Sequence, residues 1–221
     1  MTNDSWAVVD DYIANALIPA DDALEATLEA SVAAGLPAIQ VSPAQGKFLH
    51  LLARIAGAKS ILEIGTLGGY STIWLARALP PNGRLVTLEA DPKHAEVARA
   101  NFARAGLDKV IDLRLGLALE TLPKIAAENR GPFDLVFIDA DKTNNVGYFD
   151  WALKLARSGS IIVVDNVVRH GAVVDASSKD AAVRGVRRLY ERLSNEKRVN
   201  ATALQTVGVK GYDGFVLAVV E

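Results

Sequence analysis

Residues 133–142, Phe-Asp-Leu-Val-Phe-Ile-Asp-Ala-Asp-Lys (FDLVFIDADK), carry the pattern that decides the fold. The apolar run 135–138 stops abruptly at Asp139-Ala140-Asp141-Lys142. A short unbroken apolar run marks a strand buried on both faces, as in a parallel sheet, and the charged tail reads as the loop leaving it. The same event recurs downstream, where residues 161–164 end in Asp165-Asn166. Open α/β sheets bind ligands at the carboxyl ends of their strands. Adjacent strands with these endings gather Asp139, Asp165 and Asn166 on one rim. Two carboxylates and an amide oxygen are hard donors, suited to a divalent cation such as Mg²⁺ or Ca²⁺. The competing reading of the two acids is as caps of the helices that follow them.

Working outward, the rhythm on either side is strand, helix, strand. Strands are expected at 60–64, 84–88, 110–115, 133–138 and 160–164, with helices at 69–79, 92–105, 117–127, 145–156 and 179–193. This alternation implies right-handed crossovers and a parallel sheet covered by helices on both faces. The end of the chain breaks the rhythm. Residues 199–206 and 214–220 are extended runs joined by Gly-Val-Lys-Gly-Tyr-Asp, which predicts a terminal antiparallel hairpin at a sheet edge. Helices are also expected at 5–17 and 21–34, separated by Pro19. A third opens with Ser42 as N-cap, Pro43 in the first turn and Gln45 closing a capping box. Residues 1–58 therefore read as a helical layer, a lid or a dimer surface, on an α/β core at 59–221, within a single domain.

The chain has 221 residues, half of them hydrophobic, enough for one large core. A net charge of −2 gives no support to a nucleic-acid or membrane-surface partner. The absence of cysteine excludes disulfides, thiolate metal sites and cysteine nucleophiles, and agrees with a reducing compartment. The opening MTNDSWAVVDDY is acidic, without a basic-then-apolar signal pattern, and no apolar run is long enough to span a bilayer. A soluble cytoplasmic protein is the expectation.

The first strand delivers Glu63-Ile64-Gly65-Thr66-Leu67-Gly68-Gly69-Tyr70-Ser71. Its glycines allow a sharp turn and close approach of a ligand to the backbone. The spacing departs from G-x-G-x-x-G, so the dinucleotide fingerprint fails, and alone the loop reads equally well as a plain tight turn. The second strand ends in Glu89, at the separation where such folds place an acid on ribose hydroxyls. Alone, Glu89 is a solvated strand-end acid; Asp91-Pro92 beyond it caps the next helix. Loop and acid together point to an adenosine-containing cofactor. Glu63 would oppose a diphosphate but suits the cationic ammonium and sulfonium of S-adenosylmethionine.

With these segments in view, the sequence resembles the cation-dependent, S-adenosylmethionine-dependent O-methyltransferases of the caffeoyl-CoA and catechol O-methyltransferase group, in their bacterial form. The resemblance runs through VSPAQGKFL, ILEIGTLGGYS, VTLEADP, FDLVFIDADKTNNVGYF, IIVVDNVVRHG and DGFVLAVV, nearly the whole chain. It implies a Rossmann-like fold with a seven-stranded, mostly parallel sheet whose last strand is antiparallel. It implies that Val41, Glu63, Gly65, Thr66, Ser71, Glu89, Ala118 and Asp141 line the cofactor site. It assigns the metal, Mg²⁺ or else Mn²⁺ or Ca²⁺, to Asp139, Asp165 and Asn166, and the role of general base to Lys142. It also implies a small phenolic acceptor and a homodimer. His170 stands where the plant caffeoyl-CoA enzymes carry an asparagine facing the substrate, so the sequence gives no support to that particular acceptor.

Methyl transfer from a sulfonium is an in-line displacement, with the nucleophilic oxygen about 3 Å from the methyl carbon. A phenol, of pKa about 10, is a poor nucleophile at neutral pH, and a bound divalent ion lowers that value. Three protein ligands leave room for both oxygens of a vicinal diol. A lysine amine becomes a base only where a neighbouring cation and burial favour its neutral form; without the metal, Lys142 reads as an exposed loop lysine. His50 and His94 read as helix-surface residues, Tyr148, Phe149 and Trp151 as packing, and Arg184, Arg187 and Arg188 as a solvated helix face. Two enzyme alternatives remain at this stage. One is a haloacid-dehalogenase-type phosphatase with Asp139 as nucleophile, since FIDADKT matches D-x-D-x-T. The other is a nicotinamide oxidoreductase. A third alternative is a binding protein that holds S-adenosylmethionine without turnover.

Overall fold

The computed structural model describes residues 3–221. Helices α1 (Asn3–Leu17), α2 (Asp22–Ala33) and α3 (Pro43–Ile55) precede the first strand. Then β1 (Ser60–Ile64), α4 (Tyr70–Ala76), β2 (Arg84–Glu89), α5 (Pro92–Arg104), β3 (Ile111–Leu115), α6 (Ala118–Ala127), β4 (Phe133–Ile138), α7 (Asn145–Leu155) and β5 (Ala156–Asp165) alternate as expected. Helix α8 (Ala181–Ser194) leads to β6 (Val199–Gly208) and β7 (Gly211–Val220).

The strands form one sheet in the order β3-β2-β1-β4-β5-β7-β6. The first five are parallel, while β7 runs antiparallel to both β5 and β6. The order reverses between β1 and β4, and that switch point opens a crevice at the carboxyl ends of the strands. Alternation along each strand divides the core in two. On β4, Val136 and Ile138 face the side covered by Leu122, Phe149 and Leu189 of α6, α7 and α8. Leu135 and Phe137 face the other side, against Leu49, Ile73 and Phe102 of α3, α4 and α5.

Several boundaries differ from expectation, among them α4, which ends at Ala76 rather than at residue 79. Strand β5 begins at Ala156, because it extends past its buried part to pair with Phe133 through a register shift. The terminal hairpin is tighter than the GVKGYD loop suggested: only Val209 and Lys210 separate the strands, and Gly211 adopts the left-handed conformation (φ 89) of a short connection. No helix among the described residues is long and apolar enough to cross a membrane.

The N-terminal helices are fastened to the core. Asp21 caps α2 and holds Arg77 with both carboxylate oxygens, at 2.6 and 3.1 Å. Gly46 lets α3 lie against Trp74 of α4, where a Cβ would overlap the indole ring. The hairpin turn is pinned in the same way: Val209 N–H donates to Asp10 at 2.7 Å and Lys210 Nζ to the carbonyl of Ala38 at 2.9 Å.

Candidate functional site

A cavity of about 670 Å³ opens at the switch point, a size that holds a cofactor-sized molecule. Of the residues assigned to the cofactor, Val41, Gly65, Thr66, Ser71, Glu89, Ala118 and Asp141 line it, as do Asp139, Lys142 and Asn166. Glu63 and Asp165 stand behind the wall, both buried.

The glycine loop is held from two sides. Gly65 (φ 102) passes so close to the loop after β4 that a Cβ would overlap the carbonyl oxygen of Asp139. Glu89 grips the loop from β2: its carboxylate accepts the backbone N–H of Leu67 at 2.8 Å and of Thr66 at 3.3 Å, and that of Asp91 at 2.9 Å. Leu67 is thereby kept in the left-handed region (φ 52) without being glycine. Three N–H groups leave part of the capacity of a carboxylate, about four lone-pair sites, open to the cavity. Asp91 caps α5 through Lys93 and His94, as read from the sequence.

Glu63 is fully buried and accepts hydroxyl hydrogen bonds from Ser71 (2.6 Å), Thr72 (2.5 Å) and Thr87 (2.6 Å). Burial pushes its carboxyl up to about 7, the charge of Asp139 adds to this, and the three hydroxyls oppose it.

At the other end of the cavity, Ile138 and Val164 are register partners, so Asp139 and Asp165 follow them side by side on β4 and β5. Neither acid caps a helix. Asp139 takes Lys142 Nζ at 2.8 Å, with the lysine side chain 9% exposed. Asp165 accepts its neighbour's N–H, from Asn166, at 2.8 Å and Gln45 Nε2 at 2.6 Å. Burial, then the charge of Asp139, raises the Asp165 carboxyl well above the usual carboxylate range. Two crowded carboxylates with an amide beside them form a donor set that a small hard dication fits. Among the described residues no group of three or more His, Cys, Asp or Glu side chains assembles anywhere, so any such site rests on two acids and the amide.

Asp141 points along the same loop and is tied by Thr143 (2.6 Å), Asn144 (2.8 Å) and the Tyr148 hydroxyl. Partial burial works against its ionisation, but these three donors together hold its carboxyl below the ordinary range.

Several readings of individual side chains are corrected by tertiary contacts. Gln45 does not complete a capping box: Ser42 caps α3, while the Gln45 side chain leaves its helix for Asp165. His50 is half-buried, with Nδ1 at 3.1 Å from the carbonyl of Trp74, and burial lowers its pKa. His94 lines the cavity, 3.6 Å from Glu89. Phe149 is packing, but Tyr148 also lines the cavity and binds Asp141. Arg187 and Arg188 strap the backbone at Val173 (2.7 Å) and Thr143 (3.2 Å), rather than standing free on a solvated face. In the loop after β5, His170 is exposed and lies beside Gly211, whereas Arg169 lines the cavity. The sequence offered Gln45 only as a capping residue and His94 only as a helix-surface residue, and did not single out Arg169. The nearest signal was position: each follows a cap or strand end already singled out.

A parallel sheet with this switch point, a glycine loop, an acid after β2 and a reversed last strand define the Rossmann-like methyltransferase class. A family model described as O-methyltransferase matches residues 17–219. The chain belongs to the O-methyltransferase family, and is an S-adenosylmethionine-dependent enzyme that transfers a methyl group to a hydroxyl. A catechol O-methyltransferase of Niastella koreensis is 55% identical over 221 residues, covering 100% of both chains. One from Mycobacterium tuberculosis is 56% identical over 213 residues, covering 96% of this chain and 95% of its own. Among solved structures, an O-methyltransferase from Bacillus cereus in complex with SAH superposes with a TM-score of 0.98, at 58% identity and full coverage of both chains. TomG from Streptomyces achromogenes, in complex with SAM, gives 0.96 at 51% identity, covering 100% of this chain and 99% of that one. Family membership removes the phosphatase and nicotinamide readings.

Proposed function

We propose that the enzyme methylates one oxygen of a catechol or related vicinal-diol phenol, with a divalent cation held by Asp139, Asp165 and Asn166 and with Lys142 as the base. The observation that carries this reading is the pairing of two strand-end acids on adjacent strands, Asp139 lining the cavity and Asp165 buried behind its wall, beside a sealed lysine amine. The names of the relatives, both catechol O-methyltransferases, favour the same acceptor class.

The cofactor's adenosine lies toward Glu89 and the glycine loop, where the open part of the carboxylate accepts a ribose hydroxyl. A bound Mg²⁺, Mn²⁺ or Ca²⁺ supplies the positive charge that makes a phenol more acidic. Lys142 Nζ receives the acceptor's proton, and Asp139 fixes that nitrogen at the rim. S-adenosylmethionine bound in the cavity would supply the methyl group from its sulfonium and be left as a neutral thioether. Val41 and Tyr148, both buried, line the same cavity.

The test is turnover of a catechol with and without chelator, paired with calorimetric binding of S-adenosylmethionine. Asp165→Ala is expected to lose methylation by a factor of about a hundred or more while its cofactor affinity stays within about twofold, because a ligand to the ion is gone and the cofactor cleft is intact. Undiminished turnover in metal-free buffer would end the proposal. We further infer a homodimer, supported by the family likeness and by Val8, Val9 and Tyr12 exposed on α1.

A further inference from the structure

We propose that Arg169 binds an anionic substituent on the acceptor ring, in the simplest case a carboxylate, so that the enzyme prefers acidic catechols to neutral ones. This rests on the catechol reading above and deepens it.

Three basic side chains line the cavity: His94, Lys142 and Arg169. Lys142 is committed to Asp139 at 2.8 Å, and His94 lies 3.6 Å from Glu89. Arg169 is held differently. Its Nε is buried without a hydrogen-bond partner. Its Nη1 is 3.9 Å from Asp213 Oδ2, beyond hydrogen-bond reach. The other oxygen of Asp213 is occupied by the backbone N–H groups of Val168 (2.9 Å) and Arg169 (3.0 Å). Asp213 therefore fixes the loop that presents the guanidinium without saturating the guanidinium itself.

A buried N–H with no acceptor carries an uncompensated desolvation cost, which a ligand oxygen removes. A guanidinium presents planar paired donors that match a carboxylate in bidentate fashion. The acids of the inner cavity do not compete for it. Asp139 is paired with Lys142, Asp141 is tied by three side chains, and Glu89 is held by three backbone groups.

Position selects the acceptor over the cofactor as the partner. Arg169 follows Asn166 by three residues in the loop after β5, whereas Glu89 ends β2, three strands away across the sheet. An acceptor held beside Asp139 and Asn166 therefore lies in the part of the cavity that this loop lines.

The experiment compares 3,4-dihydroxybenzoate with its methyl ester as acceptors for the full-length protein, supplied with S-adenosylmethionine and Mg²⁺. The ester has the more acidic phenols, so ring electronics alone favour the ester. The expected result is a kcat/KM about tenfold higher for the acid at low ionic strength, a preference that shrinks as salt is added. Arg169→Gln should abolish the preference by raising KM for the acid, with kcat/KM for the ester and cofactor affinity each within about twofold of the parent. Equal or inverted preference in the parent enzyme overturns the inference while leaving the catechol reading intact. So does a variant that loses both substrates alike, which marks Arg169 as a loop brace. Failure of the parent to methylate either compound sinks the catechol reading and this inference together. Should the variant not fold, the acid-to-ester ratio of the parent and its salt dependence decide the matter.

Discussion

Two glutamates at strand ends show how the same side chain serves different ends. Glu89 keeps a route to the cavity and orders Thr66 and Leu67 of the glycine loop. Removing it strips the brace of the loop and, on the proposed reading, a cofactor contact. Glu89→Ala is expected to weaken S-adenosylmethionine binding about tenfold or more, since a hydrogen bond to a charged group contributes about 1.5–3 kcal/mol; titration calorimetry reads this directly. Glu63 has no such route, being sealed among three hydroxyls. Its carboxyl rises from 4.5 to about 7 on folding. The native state therefore holds more protons than the unfolded chain between those values, and stability falls as pH rises through that window. The contribution amounts to about 3 kcal/mol, present below 4.5 and lost by about 7. Glu63→Gln, which cannot ionise, should flatten the decline in Tm from pH 5 to 7 relative to the parent. An unchanged slope would show that Glu63 does not titrate there.

At the level of elements, the loop after β4 that carries Lys142 owes its position to a helix distant in sequence. Gly185 of α8 abuts the backbone carbonyl of Lys142, leaving no space for a Cβ. Strand β4 sets where the loop begins, and α8 sets how far it stands from the core. Gly185→Ala should displace the loop, cost about 1–3 kcal/mol of stability by overpacking, and reduce kcat more than cofactor affinity. Thermal unfolding and steady-state kinetics on one preparation would check both parts. A second element, the loop after β5, holds Asn166 (φ 56), Arg169 (φ 56) and His170 (φ 54) in left-handed conformations that are costly for non-glycine residues. Asp213 of β7 maintains two of the N–H groups in that loop. The terminal hairpin thus supports the loop after β5 at the cavity as well as closing the sheet.

Over the whole molecule, the two ends of the chain meet around the cleft. The N-terminal layer reaches Asp165 through Gln45 and holds the hairpin turn through Asp10 and Ala38. Apolar side chains remain outside this arrangement: Val8, Val9, Tyr12 and Leu17 on α1, with Leu204 and Val207 on β6, which α1 contacts. Exposed apolar side chains favour association, and the proposed homodimer would cover some of these. Light scattering on the purified protein should give twice the mass of one chain, and Tyr12→Asp with Val8→Asp should halve it. A monomeric parent would remove the dimer.

What the sequence determined alone is what local patterning encodes. Unbroken apolar runs ending in acids, at 135–139 and 161–165, specify buried parallel strands and name Asp139, Asp165 and Asn166 as rim residues. Caps at Asp91 and Ser42 are likewise local events, since a side chain bonds a backbone group two or three residues on. Only the tertiary structure decided the direction of Gln45, 120 residues from its partner Asp165, and the turning of Arg169 inward while His170 stays out. Both outcomes depend on where separate elements come to rest. A long polar side chain has several low-energy directions, and the partner offered by a distant strand, absent from any local window of residues, selects among them.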